Sequence, residues 1–464
     1  MIKETTQTHA DTVSKESTMK QKRDFGSFHS SNVEELIRMP ESEYTPPFRA
    51  VPVIDVSYAA NLSFGKEIKE KCFYLEPEFT FVNHGGFGGA LKPAMEDAQA
   101  WQIYAERQPL RFIDRMVLPL IVHSTRKLSK LIGCDASDIV LVPNASTGMN
   151  AVIKDLDFTS EDTIYHLNIA YGGVKNMLKY VHSKTGAQIQ VEKVNFPING
   201  IDEIIELVDN TLKPGTKLAV FDHIPNNIPI ILPVKELIEI CHQRGVRVLI
   251  DGAHALGTLP LNLHELNPDY YISNCHKWFC SSKGCAFLYV AKEHQNSTHA
   301  LVTSAGYGSG FSSDFIWTGL IDVSPLLSLQ TVIDFWASVG LDKVRKYNHS
   351  LVIEAARLLV DKWNSKLIAP EESFGPMVNV QIPRKIYENI EEVSYEHAEY
   401  IGDQLYYRFQ IEVPFKAVDG EIYVRISAHV YNVIEDYEVL ADAIITLMNE
   451  DTLYHHFIIN RKEL

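Results

Sequence analysis

From residue 138 to residue 290 the chain repeats one pattern: a short run rich in Val, Ile, Leu and aromatic residues, then a longer stretch of helical character. The runs "DIVLVP" (138–143), "DTIYHLNI" (162–169), "AQIQVEKVNF" (187–196), "KLAVFDHI" (217–224), "RVLIDGAH" (247–254), "PDYYISNCHKW" (268–278) and "GCAFLYV" (284–290) read as strands. Between them lie stretches such as "GGVKNMLKYVHSKTG", "IDEIIELVDNTLKPG" and "PVKELIEICHQRGV", whose apolar residues recur at helical spacing. Strands alternating with helices of about 10–15 residues build βαβ units and a mostly parallel sheet. Such a sheet binds its ligand in the crevice beyond the carboxyl ends of the strands. The conspicuous polar residues fall there: Asn144 to Thr147, Tyr171, Asp222 to Asn226, Asp251 to His254, and His276 with Lys277.

After about residue 325 the texture changes. Two long helical stretches, over 324–367, give way to "MVNVQIP", "IEVPFKAVDGEIYVRISA" and "VIEDYEVLADAIITLMNE", the makings of a small α+β domain. The organisation expected is a disordered tail (1–28), a segment packing on the small domain or a dimer partner (29–79), a large domain (80–325) and a small C-terminal domain (326–464). The net charge of −16, with no Lys/Arg cluster to offset it, argues against a nucleic-acid surface. No apolar run reaches the roughly 18–20 residues that span a bilayer. The N-terminus lacks the apolar core of a secretory signal, and its acidic content fits a transit peptide poorly. The six cysteines, Cys72, Cys134, Cys241, Cys275, Cys280 and Cys285, follow neither a disulfide framework nor a zinc-ligand spacing. Free thiols in a reducing cytoplasm, and no metal, are the expectation.

One pair carries chemistry. Asp251 ends the apolar run "RVLI", and Lys277 follows 26 residues later at the end of the next strand. A carboxylate and a lysine at neighbouring strand ends form a plain ion pair in many proteins. Pyridoxal 5'-phosphate needs the same two groups: a lysine for the Schiff base and an acid that keeps the pyridine nitrogen protonated. Desolvation lowers the pKa of such a lysine and frees its amine to attack an aldehyde. "NHGGFGGA" (83–90) is glycine-rich but lacks the G-x-G-x-x-G spacing of a dinucleotide loop, which disfavours an NAD-dependent oxidoreductase.

"DGAHALGTLPLN" followed by "SNCHKW" resembles the class V aminotransferase group of pyridoxal-phosphate enzymes, over about four-fifths of the chain from Asn83 onward. "FDHIPNNIPIILPVKELIEIC", "YYISNCHKWF" and "YVRISAHVYNVIEDYEVLADAI" are similar to its eukaryotic C–S lyases, the L-cysteine desulfhydrases and hercynylcysteine sulfoxide lyases; isopenicillin N epimerase belongs to the same group. The resemblance implies the type I PLP-dependent transferase fold, an α/β large domain with a mostly parallel seven-stranded sheet plus a small α+β domain, and a homodimer with its sites at the interface. It assigns Lys277 to the Schiff base, Asp251 to the pyridine nitrogen, and His254 and Asn226 to the phenolate oxygen. Tyr171 is to stack on the ring; Ala145, Ser146 and Thr147, opening a helix whose N–H groups favour an anion, and His276 are to hold the phosphate. Arg425 is to take the substrate α-carboxylate as a bidentate fork, with Asn83 and His84 as further substrate contacts.

Two departures stand out. Cysteine desulfurases need a thiol on a mobile loop before the "R-x-S" arginine, yet residues 286–464 contain no cysteine, which disfavours persulfide chemistry. "WTGLID" (317–322) carries Leu320 where relatives place a threonine that reaches the neighbouring subunit's phosphate. The implied reaction is β-elimination from L-cysteine, a cysteine S-conjugate or a sulfoxide, giving pyruvate, ammonia and a sulfur product. Epimerisation, transamination and a non-catalytic PLP-fold role are the alternatives.

Overall fold

The computed structural model describes residues 32–450; the tail expected over 1–28 lies outside them. Seven strands, β1 (Ile139–Val142), β2 (Thr163–Leu167), β3 (Gln188–Glu192), β4 (Thr216–Asp222), β5 (Arg247–Asp251), β6 (Tyr270–Asn274) and β7 (Ala286–Val290), form one sheet in the order β1-β7-β6-β5-β4-β2-β3. The pairings among β2 to β6 are parallel. Only β7 runs against its neighbours, β6 and β1. The cause is the connection: residues 275–285 return to the sheet without a crossover helix, and a direct return forces antiparallel pairing. That reversing loop carries Lys277.

Both faces of the sheet are covered, so the inner strands are apolar on both sides. Helices α1 (Lys92–Arg107), α2 (Val117–Ile132), α3 (Ala145–Asp155), α4 (Gly172–Thr185), α5 (Asp202–Thr211) and α6 (Val234–Gln243) alternate with or precede the strands. Leu218, Val220, Leu249, Ile272 and Leu288 face Met149, Val152, Leu178 and Val181 of α3 and α4. The intervening Ala219, Phe221, Val248, Ile250 and Tyr271 belong to the core on the other side, with Ile204, Leu237, Ile238 and Leu128. Helix α4 stops where its sequence says it should: Gly186 takes the left-handed φ of 76° that closes a helix, and its N–H bonds to the His182 carbonyl.

Helices α7 (Ser324–Val339) and α8 (Leu341–Trp363) meet at Gly340 (φ 89°). Helix α7 packs on α1 and α2, so the large domain extends past the boundary expected at 325. Its Leu327, Leu329, Val332, Phe335 and Trp336 are all buried, and a helix so apolar has to be covered on several sides. The small domain holds an antiparallel sheet of β8 (Met377–Gln381), β9 (Phe415–Val418) and β10 (Glu421–Ser427) in the order β9-β10-β8, with α8, α9 (Tyr395–Phe409) and α10 (Ile434–Met448) about it. Thr80 and Phe81, expected to open the large domain, pair instead with Ile411 and Glu412 of the small one.

The segment preceding them straps both domains. Arg126 of α2 donates to the carbonyls of Leu36, Ile37 and Met39, closing the short helix Val33–Arg38 against the large domain. Further along, Gly65 N–H bonds to the Val430 carbonyl and Phe64 packs edge-on to Tyr347. No described helix is long and apolar enough to cross a membrane.

Candidate active site

Strand β6 ends at Asn274, and the N–H groups of Cys275 and His276 both donate to the Cys285 carbonyl, pinching the loop that bears Lys277. Lys277 Nζ lies 3.3 Å from His254 Nε2. Burial lowers its amine to about 8, opposed by Asp251 and reinforced by Arg425. Asp251 does not meet it in an ion pair; its Oδ1 accepts from Ala253 N–H at 3.0 Å. Asp222 stands beside Asp251 in register on the adjoining strand. Burial, then repulsion from Asp251, pushes Asp222 well above the carboxylate range, and Asp251 is raised by burial. Both carboxyls are thus raised, Asp222 while accepting from Tyr171 N–H, and Asp251 is the one that most opposes the lowering of the Lys277 amine.

Arg425 reaches this end of the sheet from β10. It is 2% exposed, and its Nη1 donates to the backbone and side-chain oxygens of Asn226 while Nη2 donates to Asn83 Oδ1 at 2.8 Å. Its Nε is buried without a partner, and among the described residues no carboxylate pairs with it. Burial pulls the guanidinium down to about 10. Lys416 of β9 pairs with Tyr423 on the face that carries Arg425, and burial and Arg425 hold its amine at about 8. Among the described residues neither cation is paired with a carboxylate, and two like charges held together in this way favour an anion nearby.

The glycine-rich loop is explained by close approach. Gly88 (φ 68°) lies so near Lys277 that a Cβ there would sit 2.7 Å from the Lys277 carbonyl oxygen, and one on Gly85 would strike Met377 Sδ at 2.3 Å. His84, expected at the substrate, is instead fully buried behind Lys277. Its Nε2 lies 3.1 Å from the Lys277 carbonyl and its Nδ1 2.7 Å from Tyr431 Oη. A ring committed at both nitrogens and closed off from the crevice braces the loop rather than meeting a substrate. Cys280 and His429 lie against it, with His429 Nε2 at 3.3 Å from the Trp278 carbonyl. Cys275, Cys280 and Cys285 are all interior.

At the other side of Lys277, Asn144 caps α3 by accepting from Thr147 N–H, and Ala145 N–H donates to Asn274 Oδ1 at 2.9 Å. Of the three residues expected to cradle an anion, only Ser146 keeps its N–H uncommitted to a side chain, and it is exposed. His276 Nδ1 lies 2.8 Å from the Cys285 carbonyl, which leaves Nε2 as the outward nitrogen; burial first, then Lys283 and Lys277, lower the ring to about 4. The Tyr171 ring is 43% exposed and folded over Gly173.

Lys277, Asp251, His254, Tyr171, Asn226, Asn83, His276, Arg425 and the start of α3 thus converge on one end of the sheet, with His84 behind it. Asn226, expected near the phenolate oxygen of the ring, accepts from Arg425 with both its oxygens. Asp222, Asn274 and Trp278 were not assigned roles from the sequence; their signal was position, at strand ends or beside Lys277. Leu320 is 73% exposed. Thr318 and Thr147 line a common apolar cavity of about 330 Å³ that lies beside the Lys277 crevice rather than in it.

Residues 120–440 match the family model "Aminotransferase class-V". Over 418 residues the chain is 31% identical to a probable chloroplastic L-cysteine desulfhydrase of Arabidopsis thaliana, covering 84% of this chain and 87% of the relative. It is 27% identical to hercynylcysteine sulfoxide lyase of Schizosaccharomyces pombe (83% and 98% covered) and 27% identical to isopenicillin N epimerase of Streptomyces clavuligerus (81% and 96% covered). Among solved structures, the cystine C–S lyase C-DES with its product cysteine persulfide superposes with a TM-score of 0.67 at 20% identity, covering 80% of this chain and 98% of that one. The apo cysteine desulfurase of Thermococcus onnurineus NA1 gives 0.68 at 18% identity, covering 84% and 99%. These two likenesses establish the fold.

Proposed function

The chain belongs to the class-V aminotransferase family, and from that premise we propose that it is a pyridoxal-phosphate-dependent C–S lyase. It cleaves the Cβ–S bond of L-cysteine, or of a cysteine S-conjugate or sulfoxide, by β-elimination. With L-cysteine the balance is one water consumed and one each of sulfide, pyruvate and ammonia formed.

The residues fit that cofactor on the structure's own terms: a partly freed lysine amine, a buried carboxylate in front of it, an exposed aromatic ring and an uncapped helix N–H converge there. When bound, pyridoxal phosphate provides the electron sink for charge left at Cα. Asp251 would hold its ring nitrogen protonated, Lys277 would hold its aldehyde carbon, Tyr171 would cover a ring face, and Ser146 with His276 would meet its phosphate. An anion there restores the proton that burial denies His276.

The observation that carries the reading is Arg425, a buried cation that faces neutral acceptors and, among the described residues, pairs with no acid. The guanidinium would take the α-carboxylate and orient Cα toward Lys277, whose amine would remove the Cα proton. No cysteine stands in 286–464 to attack the sulfur, so the sulfur departs as a leaving group. The test is to incubate cofactor-loaded protein with L-cysteine and measure sulfide, pyruvate and ammonia together. Equal yields support elimination; a spectral response to amino acids without sulfide from cysteine, its conjugates or sulfoxides removes it in favour of epimerisation or transamination.

We also propose a homodimer, supported by the exposed apolar side chains of Phe87, Val302, Leu320 and Ile321; light scattering checks it. In that dimer Thr318 would take the place of the missing Leu320 hydroxyl. A cytoplasmic location is proposed from the six free thiols, to be checked by fractionation.

A further inference from the structure

The Lys277 amine touches a side chain whose proton the structure places. His254, 3% exposed, sets Nε2 3.3 Å from Lys277 Nζ, and its Nδ1 lies 3.0 Å from the indole Nε1 of Trp278. An indole N–H only donates. Its partner nitrogen must therefore be unprotonated, and the single hydrogen of a neutral imidazole sits on Nε2. An imidazolium would set two N–H groups head to head, so the same contact excludes the charged form. Trp278 cannot easily turn away: it is 2% exposed, packs with Ile224 and Met377, and stacks near His429.

We infer that Trp278 is a positioning residue that fixes the tautomer of His254, making it a permanent hydrogen-bond donor toward Lys277. The inference rests on Lys277 being the cofactor lysine proposed above. An N–H aimed at Nζ bonds only to an amine with a free lone pair, so it favours the neutral, nucleophilic amine over the ammonium. It also removes His254 as a base: neither ring nitrogen can accept a proton, and the Cα proton is left to Lys277. In the loaded enzyme the same N–H suits an electron-rich oxygen such as the ring phenolate. The charged and titratable groups facing His254 are Lys277, Arg425 and His84. Those facing Lys277 are Asp251, Arg425 and Asp222.

The test uses the full-length protein, cofactor-free and loaded with pyridoxal phosphate. Nitrogen-15 histidine labelling, with the His254 signals identified by their loss in His254→Gln, reads which nitrogen carries the proton. The wild type should show a protonated Nε2 and a bare Nδ1. In Trp278→Phe the donor is gone, the other tautomer becomes accessible, and Nε2 can accept from a Lys277 ammonium. The pH profile for capture of pyridoxal phosphate should then move up by about one unit, the size of a single hydrogen-bond preference between protonation states. His254→Gln, whose amide offers one acceptor to Trp278 and one donor to Lys277, should keep the wild-type profile. Should Trp278→Phe fail to fold, 3-benzothienylalanine at that position keeps the shape without the N–H. A wild-type proton on Nδ1, or an unchanged tautomer and profile in a folded variant, overturns the inference. Failure of the wild type to capture the cofactor overturns the proposed function instead, and leaves the tautomer measurement decisive for this one.

Discussion

Replacing Arg425 by Met should abolish the enzyme's preference for a free α-carboxylate. The guanidinium is 2% exposed, and burial takes it from the ordinary arginine range to about 10. That drop corresponds to about 3 kcal/mol of stabilisation denied to the cation, which a carboxylate in reach restores while forming charge-assisted bonds. At 1.4 kcal/mol per factor of ten, wild-type kcat/KM should favour L-cysteine over L-cysteine amide by about 100-fold. In Arg425→Met the rate with L-cysteine should fall by about that factor while the amide changes little, leaving the two substrates within about twofold of each other. The assay is sulfide release from both substrates by both proteins, a double-mutant cycle between side chain and carboxylate. Thermal midpoints are taken alongside, because Arg425 also ties Asn83 to Asn226 and its loss loosens that junction. Equal losses on acid and amide, or intact discrimination in the variant, would refute carboxylate recognition by Arg425.

Lys277→Ala should keep its thermal midpoint near that of wild type but lose the borohydride-fixed link to pyridoxal phosphate; a surviving link, seen by mass spectrometry, would move the cofactor lysine elsewhere. With the Lys277 amine at about 8, capture of pyridoxal phosphate by cofactor-free protein should rise roughly tenfold per pH unit below 8 and level above it; a stopped-flow profile flat from pH 6 to 9 contradicts this. The linked stability effect has a definite sign. The unfolded lysine holds its proton to about 10, so between about 8 and 10 unfolding takes up a proton and the folded state gains stability as pH rises. Denaturant midpoints of cofactor-free wild type against Lys277→Met across that window measure it. Asp222→Asn, a near-isosteric change at the carboxyl farther from the proposed chemistry, should change kcat by less than about fivefold, whereas Asp251→Asn should lower it by about 100-fold or more; the reverse ranking in steady-state assays would exchange the roles of the two carboxyls.

Much of the site was legible because βαβ chains put consecutive strand ends side by side. Asp251 and Lys277 close consecutive strands, β5 and β6, which pair in parallel, so their proximity follows from the repeat alone. The placing of Asn226 was not legible in the same way. It lies at a strand end as expected, but its oxygens answer Arg425 from 199 residues away. His84 misled for a related reason. The resemblance set it at the substrate, yet Gly88 lets the loop press against Lys277, and the histidine is enclosed behind that contact.

The sequence by itself determined the sheet, its mostly parallel sense and the end at which chemistry gathers, because strand and helix periodicities report which face of each element is buried and strand order follows from short connections. It also carried the lysine, the acid and the absence of a late thiol nucleophile. Tertiary structure decided the rest. Packing of the small domain on the large one brings a buried arginine to meet Asn83, 342 residues away in the chain. Register between β4 and β5 sets Asp222 against Asp251, which adds to burial in raising the Asp222 carboxyl. A tryptophan N–H settles which nitrogen of His254 holds its proton. Charge state, tautomer and long-range contact depend on what surrounds a group in space, and periodicity along a chain holds no record of that.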